Sequence, residues 1–109
     1  MKVVNINFGR TEKTPKIIED KLNKALLEGK FQTATQIESP TTGRLYISLY
    51  LKENSEPDTQ AKVFREISES DMTQKMNAFL EGADLRHMTQ TVSSKSNALI
   101  TTLFFKKKA

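Results

Sequence analysis

The sequence predicts an α+β fold built from a duplicated β-α-β-β unit, with six strands and two helices. The segment "KLNKALLEG" at residues 21–29 recurs as "KMNAFLEG" at residues 75–82. The dipeptide Thr-Gln follows each copy, at residues 35–36 and 89–90, which are 54 positions apart. Each half then ends in a strand dense in β-branched and aromatic residues. We therefore expect a single domain over residues 1–109, with pseudo-repeats at 1–53 and 61–109.

The first half opens with the apolar run "KVVNINF" at residues 2–8, which predicts a strand. A helix should follow from Thr14, because Thr14 can cap it and Pro15 suits the first helical position. Its end is expected at Gly29. The apolar residues of this helix have the spacing of one buried face: Ile18, Leu22, Ala25 and Leu26.

Two more strands complete the first half. The Thr-rich segment "FQTATQIES" from residue 31 predicts a half-exposed strand, and "PTTG" at residues 40–43 predicts the turn after it. The segment "RLYISLYLK" at residues 44–52 predicts one of the two best strands, the other being the last strand of the second half. Residues 53–60, "ENSEPDTQ", contain no apolar side chain, so we expect a linker between the halves there.

The second half repeats this order. The segment "AKVFREI" at residues 61–67 predicts a strand, and Ser68 and Asp71 have the spacing of a capping box before the second helix. The segment "LRHMTQTVS" from residue 85, the turn "SKSN" at 94–97 and the strand "NALITTLFFK" at 97–106 follow. The second helix has apolar residues 54 positions after those of the first: Met72, Met76, Phe79 and Leu80, with Gly82 behind them.

Six strands and two helices of this size fit a two-layer arrangement, or a curled sheet that tends toward a small barrel. A single β-α-β-β unit of about 50 residues buries too little apolar surface to be secure alone. We therefore expect the two units to share one core, with the helices covering the apolar face of the strands.

Composition excludes several classes of protein. The chain has no Cys, which removes disulfides, thiolate catalysis and Cys-ligated zinc. No apolar run approaches the roughly 20 residues that a bilayer requires, and the start of the chain lacks a signal-peptide pattern, so we expect a cytoplasmic protein with no membrane partner. The net charge of +4 permits a polyanionic partner without requiring one.

Residues that could carry catalysis are few, and the sequence predicts no enzyme and no cofactor. His87 is the single His, so one chain cannot supply a multi-His metal site. A hydrolase would have to be centred on His87, whereas a surface or strand-pairing role is the simpler reading. The four glycines are too scattered for a nucleotide-binding loop.

The strand at residues 44–52 is the best candidate for a binding surface. Alternation places Arg44, Tyr46, Tyr50 and Lys52 on one face of the sheet, opposite a row of apolar residues. Single-stranded bases stack on aromatic rings of such a face while Lys and Arg meet the phosphates. The alternative is that both tyrosines cover a second apolar layer or pack across strands.

The loop before the first helix adds three cations. Arg10, Lys13 and Lys16 stand at the expected helix N-terminus, where backbone donors and the helix dipole also favour an anion. The alternative is an ordinary solvated loop. We include all three in the predicted RNA-binding site.

The closing strand has apolar residues on both faces, so it should lie centrally in a sheet or at a subunit interface. This observation supports the rival prediction of a protein-interaction module without nucleic-acid binding. In that case a homodimer would form through strand edges or through the apolar face near Phe104 and Phe105.

Two resemblances bear on function. The second half contains three short motifs: a KVF-type strand at Lys62 to Phe64, an Asn-x-Phe-Leu helix core at residues 77–80 and an Ala-x-Ile strand at residues 98–100. Through these motifs, residues 61–107 resemble short sporulation-associated proteins of bacilli. That resemblance implies no established chemistry.

The segments "NINFGRTEKTPKIIEDKLNKAL" and "PTTGRLYISLYL" carry the second resemblance. Over its full length the chain is similar to the PrgU family of small proteins encoded on pheromone-responsive conjugative plasmids of enterococci. The resemblance implies a PUA-like, RNA-binding type of fold and a regulatory role that limits toxic overproduction of adhesins. It transfers no individual binding residue.

Overall fold

The computed structural model describes residues 1–93 and 96–108, and that part of the chain forms six strands and two α-helices. The first half contains β1 (Lys2–Phe8), α1 (Pro15–Ala25), β2 (Lys30–Glu38) and β3 (Leu45–Lys52). The second half contains β4 (Gln60–Glu66), α2 (Glu69–Leu80), β5 (Ala83–Val92) and β6 (Leu99–Lys107). The predicted β-α-β-β order is confirmed in both halves.

The strands form two antiparallel three-stranded sheets. The first sheet has the order β1-β3-β2, and the second sheet has the equivalent order β4-β6-β5. The closing strand of each half therefore lies at the centre of its sheet. The sheets do not close into a barrel, so of the two predicted architectures the layered one is observed.

The repeat extends to details of the backbone. The pairing register of β2 shifts between Phe31 and Thr33, and that of β5 shifts between Leu85 and His87, 54 positions later. The two hairpin turns share a left-handed residue, Gly43 with φ of 75° and Asn97 with φ of 57°. Two residues of the predicted second turn, Ser94 and Lys95, lie outside the described residues.

The helix boundaries differ in part from those predicted. The first helix begins at Pro15 as predicted, but the Thr14 side chain makes no capping bond, and the α-helix ends at Ala25. A 3-10 turn, Leu26–Glu28, continues the chain to Gly29. At the second helix, the Ser68 hydroxyl accepts a hydrogen bond from the Asp71 N–H at 3.3 Å. Among the described residues neither helix has the length and apolarity needed to cross a bilayer.

One core is shared by the two halves. The predicted apolar face of α1 is buried, as is the inward row of β3. The second sheet contributes Ala61, Val63, Ile100 and Phe104 to the same cluster. The Phe104 ring stacks on Phe31 of the first sheet, with centroids 4.7 Å apart. The shared core supplies the partner surface that each unit would lack alone.

The two helices are covered unequally. Helix α1 packs on β1 of its own half and on β4 of the other, whereas α2 packs on β4 and β5 of its own half. The predicted apolar row of α1 and the 3-10 turn after it is buried throughout, but Met76, Phe79 and Leu80 of α2 are only half-buried. Helix α2 is therefore less covered than α1, and none of the strands named here as its partners comes from the other half.

The central strand of the second sheet, β6, is buried on both faces. One face of β6 joins the shared core, and α2 covers the other, with the Phe79 and Phe105 rings edge to face at 4.8 Å. The predicted homodimer surface near Phe104 and Phe105 is therefore wrong, because both rings lie inside this chain. The central position predicted for β6 is confirmed.

The predicted linker, residues 53–60, differs at its end. Thr59 is buried, and Gln60 already belongs to β4.

Candidate nucleic-acid interface

One face of the first sheet is open to solvent. The inward row of β3 is buried at Leu45, Ile47, Leu49 and Leu51, so the residues between them point to the opposite side. Seven of the nine residues on that side are exposed and two are half-buried. We call it the tyrosine face; it consists of Val3, Asn5 and Asn7 from β1, Thr33, Thr35 and Ile37 from β2, and Tyr46, Ser48 and Tyr50 from β3.

Both predicted tyrosines lie on this face and neither is in the core. Tyr46 is 41% exposed, between Asn7 and Ile37 on the neighbouring strands. Tyr50 is half-buried, four residues further along β3. At roughly 3.3 Å per strand residue their backbones are about 13 Å apart, which leaves room for a separate base on each ring.

The centre of the face is polar. Ser48 lies between the two tyrosines, and its hydroxyl donates a hydrogen bond to Asn5 Oδ1 at 2.6 Å. Thr35 is the neighbour of Ser48 on β2. Hydroxyl and amide groups of this kind can hydrogen-bond the edges of unpaired bases and the 2′-hydroxyl of RNA.

Two arginines stand at one end of the tyrosine face. The Arg44 guanidinium donates to Asn7 Oδ1 at 2.8 Å, which holds it beside Tyr46. The Arg10 Nε donates to the Thr42 carbonyl at 3.2 Å, within the hairpin turn. Gly43 keeps this turn tight: its φ is 75°, and a Cβ there would lie 3.2 Å from Arg10 Nε.

Two lysines stand at the other end. Lys52 is exposed as predicted, and Lys30 is its direct neighbour on β2. Lys30 is not among the residues predicted from the sequence, because only the register of β2 against β3 reveals that the two lysines are adjacent. Beside them lies an open depression of about 570 Å³ whose walls include Arg86 and Asp58, an ion pair at 3.2 Å.

Two of the predicted loop cations are placed elsewhere. Lys13 is buried, and its ammonium donates to Glu38 Oε1 at 2.8 Å, so its inclusion in the RNA site was wrong. Lys16 is exposed on α1 and pairs with Asp20 at 3.1 Å, one turn along the same helix. Helix α1 covers the inward side of the first sheet, so Lys16 does not join the tyrosine face either.

A short 3-10 turn, Arg10–Glu12, fixes the loop that carries Arg10. The Glu12 carboxylate accepts the Gly9 N–H at 2.9 Å and the Lys21 ammonium at 3.1 Å. The bond from the Gly9 N–H, followed by the Lys21 charge, holds the pKa of Glu12 below its ordinary value. These contacts of the turn therefore favour the ionised form of the carboxylate.

His87 belongs to the boundary between the two sheets. Its Nε2 lies 2.9 Å from the Ala34 carbonyl, which accepts the bond, and its ring lies near Phe31 and Phe104 at 6.0 and 6.2 Å. These contacts give His87 a part in holding the sheets together. Among the described residues no three His, Asp or Glu side chains are grouped as a metal site would require.

Fold and surface together define an α+β protein of two β-α-β-β units with one open sheet face between two pairs of cations. No family model, no curated protein and no solved structure matches the chain. The resemblances to the PrgU family and to the sporulation-associated proteins therefore stay predictions.

Proposed function

We propose that this protein is a non-enzymatic regulator that binds single-stranded RNA on the tyrosine face. The observation that carries the proposal is the position of two tyrosine rings, one exposed and one half-buried, between two pairs of cations on one sheet. Arg10 and Arg44 lie at one end, and Lys30 and Lys52 lie at the other. From residue 44 to residue 52 the strand spans about 26 Å at roughly 3.3 Å per residue, enough for several nucleotides.

The chemistry of the face favours a single strand over a duplex. Exposed rings on a sheet stack unpaired bases, which are not accessible inside an A-form helix. The cations at both ends would meet phosphates, so binding should weaken as salt is raised. The resemblance to the PrgU family extends the proposal to regulation of plasmid-encoded surface proteins, with the RNA as the regulated species.

The direct test is fluorescence anisotropy with a labelled single-stranded RNA of about 10 nucleotides, within the site sizes of comparable stacking surfaces. Replacing Tyr46 and Tyr50 with Ala should weaken binding by about 1 to 3 kcal/mol for each lost stack. Tyr46→Phe is the matched control, because it keeps the ring. Absence of binding by the unmodified protein at low salt would remove the proposed function.

A further inference from the structure

The interface between the two halves joins two different surfaces of the repeat. In the first half, the inward side of β2 and helix α1 form a receiving surface, represented by Phe31, Ala34 and Gln36. In the second half, the face of β6 that contains Thr102 and Phe104 is inserted onto it. We call the latter the inserting face. Because the two halves repeat the same unit, each half has one receiving surface and one inserting face. The interface between the halves uses the receiving surface of the first half and the inserting face of the second.

The unused inserting face is the tyrosine face. With the offset of 54 residues, Tyr46 of the first sheet is the equivalent of Ile100, and Tyr50 is the equivalent of Phe104. Ile100 and Phe104 are buried against the first half, whereas Tyr46 is exposed and Tyr50 is half-buried. Among the described residues, no part of the chain packs on the tyrosine face as the first half packs on Ile100 and Phe104.

The unused receiving surface lies on β5 and α2. Leu85 is the equivalent of Phe31, and Met88 is the equivalent of Ala34. Phe31 is 5% exposed and Leu85 is 45% exposed, and the exposure rises from 4% at Ala34 to 42% at Met88. Helix α2 contacts β5. Three apolar residues of α2 are only half-buried, as expected if the strand of the other half that packs on α1 has no equivalent on α2: Met76, Phe79 and Leu80.

The polar groups of the used interface recur on the unused surfaces. The Gln36 side chain bonds to Thr89 and Thr102 of the inserting face. Its equivalent, Gln90, is exposed, and the equivalents of the two threonines are Thr35 and Ser48 on the tyrosine face. A tyrosine face seated on Gln90 would therefore offer it two hydroxyl groups.

A second polar contact recurs in the same way. Asn23 on α1 donates to the Ala61 carbonyl at 3.2 Å and accepts the Ala61 N–H at 2.7 Å. Its equivalent, Asn77, is exposed on α2. The pairing register makes Val3 on edge strand β1 the equivalent of Ala61, and Val3 is exposed. Asn77 and Val3 thus offer the same bidentate contact on the two unused surfaces.

The charges also match. In the used interface, Lys106 and Leu27 line the same surface depression. Their equivalents are Lys52 at the end of the tyrosine face and Glu81 behind α2, both exposed. A place where a cation and an apolar side chain share a depression inside the chain would bring opposite charges together between two chains.

We infer that a second copy of this chain docks its tyrosine face onto the receiving surface of β5 and α2, extending the internal interface from one molecule to the next. The contact is heterologous, so each molecule uses one surface of each kind and the assembly is a ring or an open filament. Because the same face carries the proposed RNA site, RNA and the second copy compete for it. Self-association does not depend on the proposed RNA binding.

The test uses one variant on each surface, Tyr46→Asp and Met88→Asp, in sedimentation velocity over a concentration series. The unmodified protein should form species larger than one copy as concentration rises. Each variant alone should remain a single copy, because one of its two surfaces is blocked. An equimolar mixture should form a dimer with one copy of each variant, since the open surfaces of the two variants complement each other.

A charge exchange gives a second, independent readout. Lys52→Glu and Glu81→Lys should each weaken association, and the chain with both changes should recover it. The inference is overturned if the unmodified protein sediments as one copy throughout, if the mixed variants do not pair, or if Tyr46→Asp leaves association intact. Met88→Asp separates the two proposals, because it blocks association and leaves the RNA face open. If neither the unmodified protein nor Met88→Asp binds RNA, only the proposed function is refuted.

Discussion

The side-chain oxygen of Gln36 accepts a hydrogen bond from the Thr102 hydroxyl at 2.9 Å, across the boundary between the two sheets. The same oxygen accepts the Thr89 hydroxyl at 2.7 Å. The amide nitrogen of Gln36 donates to Thr91 Oγ1 at 3.0 Å and to the Ile100 carbonyl at 3.2 Å. One buried carboxamide is therefore fully satisfied by the other half of the chain, and it fixes how the two sheets meet.

Replacing Gln36 with Ala should lower the free energy of unfolding by about 2 to 4 kcal/mol, because it leaves buried hydroxyl groups without their partner. Urea unfolding at low protein concentration measures the change. Gln90→Ala is the matched control, since its side chain is the repeat equivalent but is exposed in a single copy. A loss as large in Gln90→Ala would contradict the role assigned to Gln36.

The Thr101 hydroxyl has no hydrogen-bond partner among the described residues, although the side chain is fully buried. Valine has nearly the same shape and no polar atom, so Thr101→Val should raise the free energy of unfolding by about 1 kcal/mol. Thr102→Val should lower it, because the adjacent threonine bonds to Gln36. Chemical unfolding of the two variants side by side tests this difference in sign.

Lys13 and Glu38 form an ion pair whose two side chains are buried. Lys13→Met removes one partner of the buried Glu38 carboxylate and should lower the free energy of unfolding by up to about 3 to 5 kcal/mol. Lys16→Met, at an exposed ion pair on α1, should change stability by less than about 0.5 kcal/mol. Thermal unfolding compares them; equal effects would mean that burial of the first pair has no energetic consequence.

The carboxylate of Glu12 makes stability depend on pH. Its pKa is lower in the folded chain than in the unfolded chain, so its contribution is complete above the unfolded value. The contribution is lost as the pH falls through the folded value. Glu12→Gln should therefore flatten the decline of stability in acid, as measured by urea unfolding at several pH values. Glu56→Gln, in the exposed linker, serves as the control and should keep the unmodified slope.

The four cations at the ends of the tyrosine face should set the salt dependence of RNA binding. Lys30→Ala and Lys52→Ala should each reduce the slope of log affinity against log salt by about 1, if each lysine contacts one phosphate. Lys24→Ala is the control, because this exposed lysine lies on α1, on the other side of the first sheet. An equal reduction by Lys24→Ala would indicate a general charge effect and not a site.

Periodicity in the chain was sufficient to predict the order of the elements and the rows of residues that enter the core. The alternation of β3 and the spacing of Ile18, Leu22 and Leu26 are local features that need no partner to be read. The same spacing predicted that Tyr46 and Tyr50 would share a face. Lys13 shows the limit of this reasoning, because its position in a basic loop gave no sign of its buried partner, Glu38, 25 residues later.

What spacing could not decide is which of two equivalent surfaces would be covered. The strands β3 and β6 occupy the same place in the repeat, yet Tyr50 stays half-buried at the surface while Phe104 is buried in the core. The physical reason is that the halves associate through unlike surfaces, so one surface of each kind must be left over when only two units are joined. That choice depends on contacts between distant parts of the chain, and only the tertiary structure expresses it.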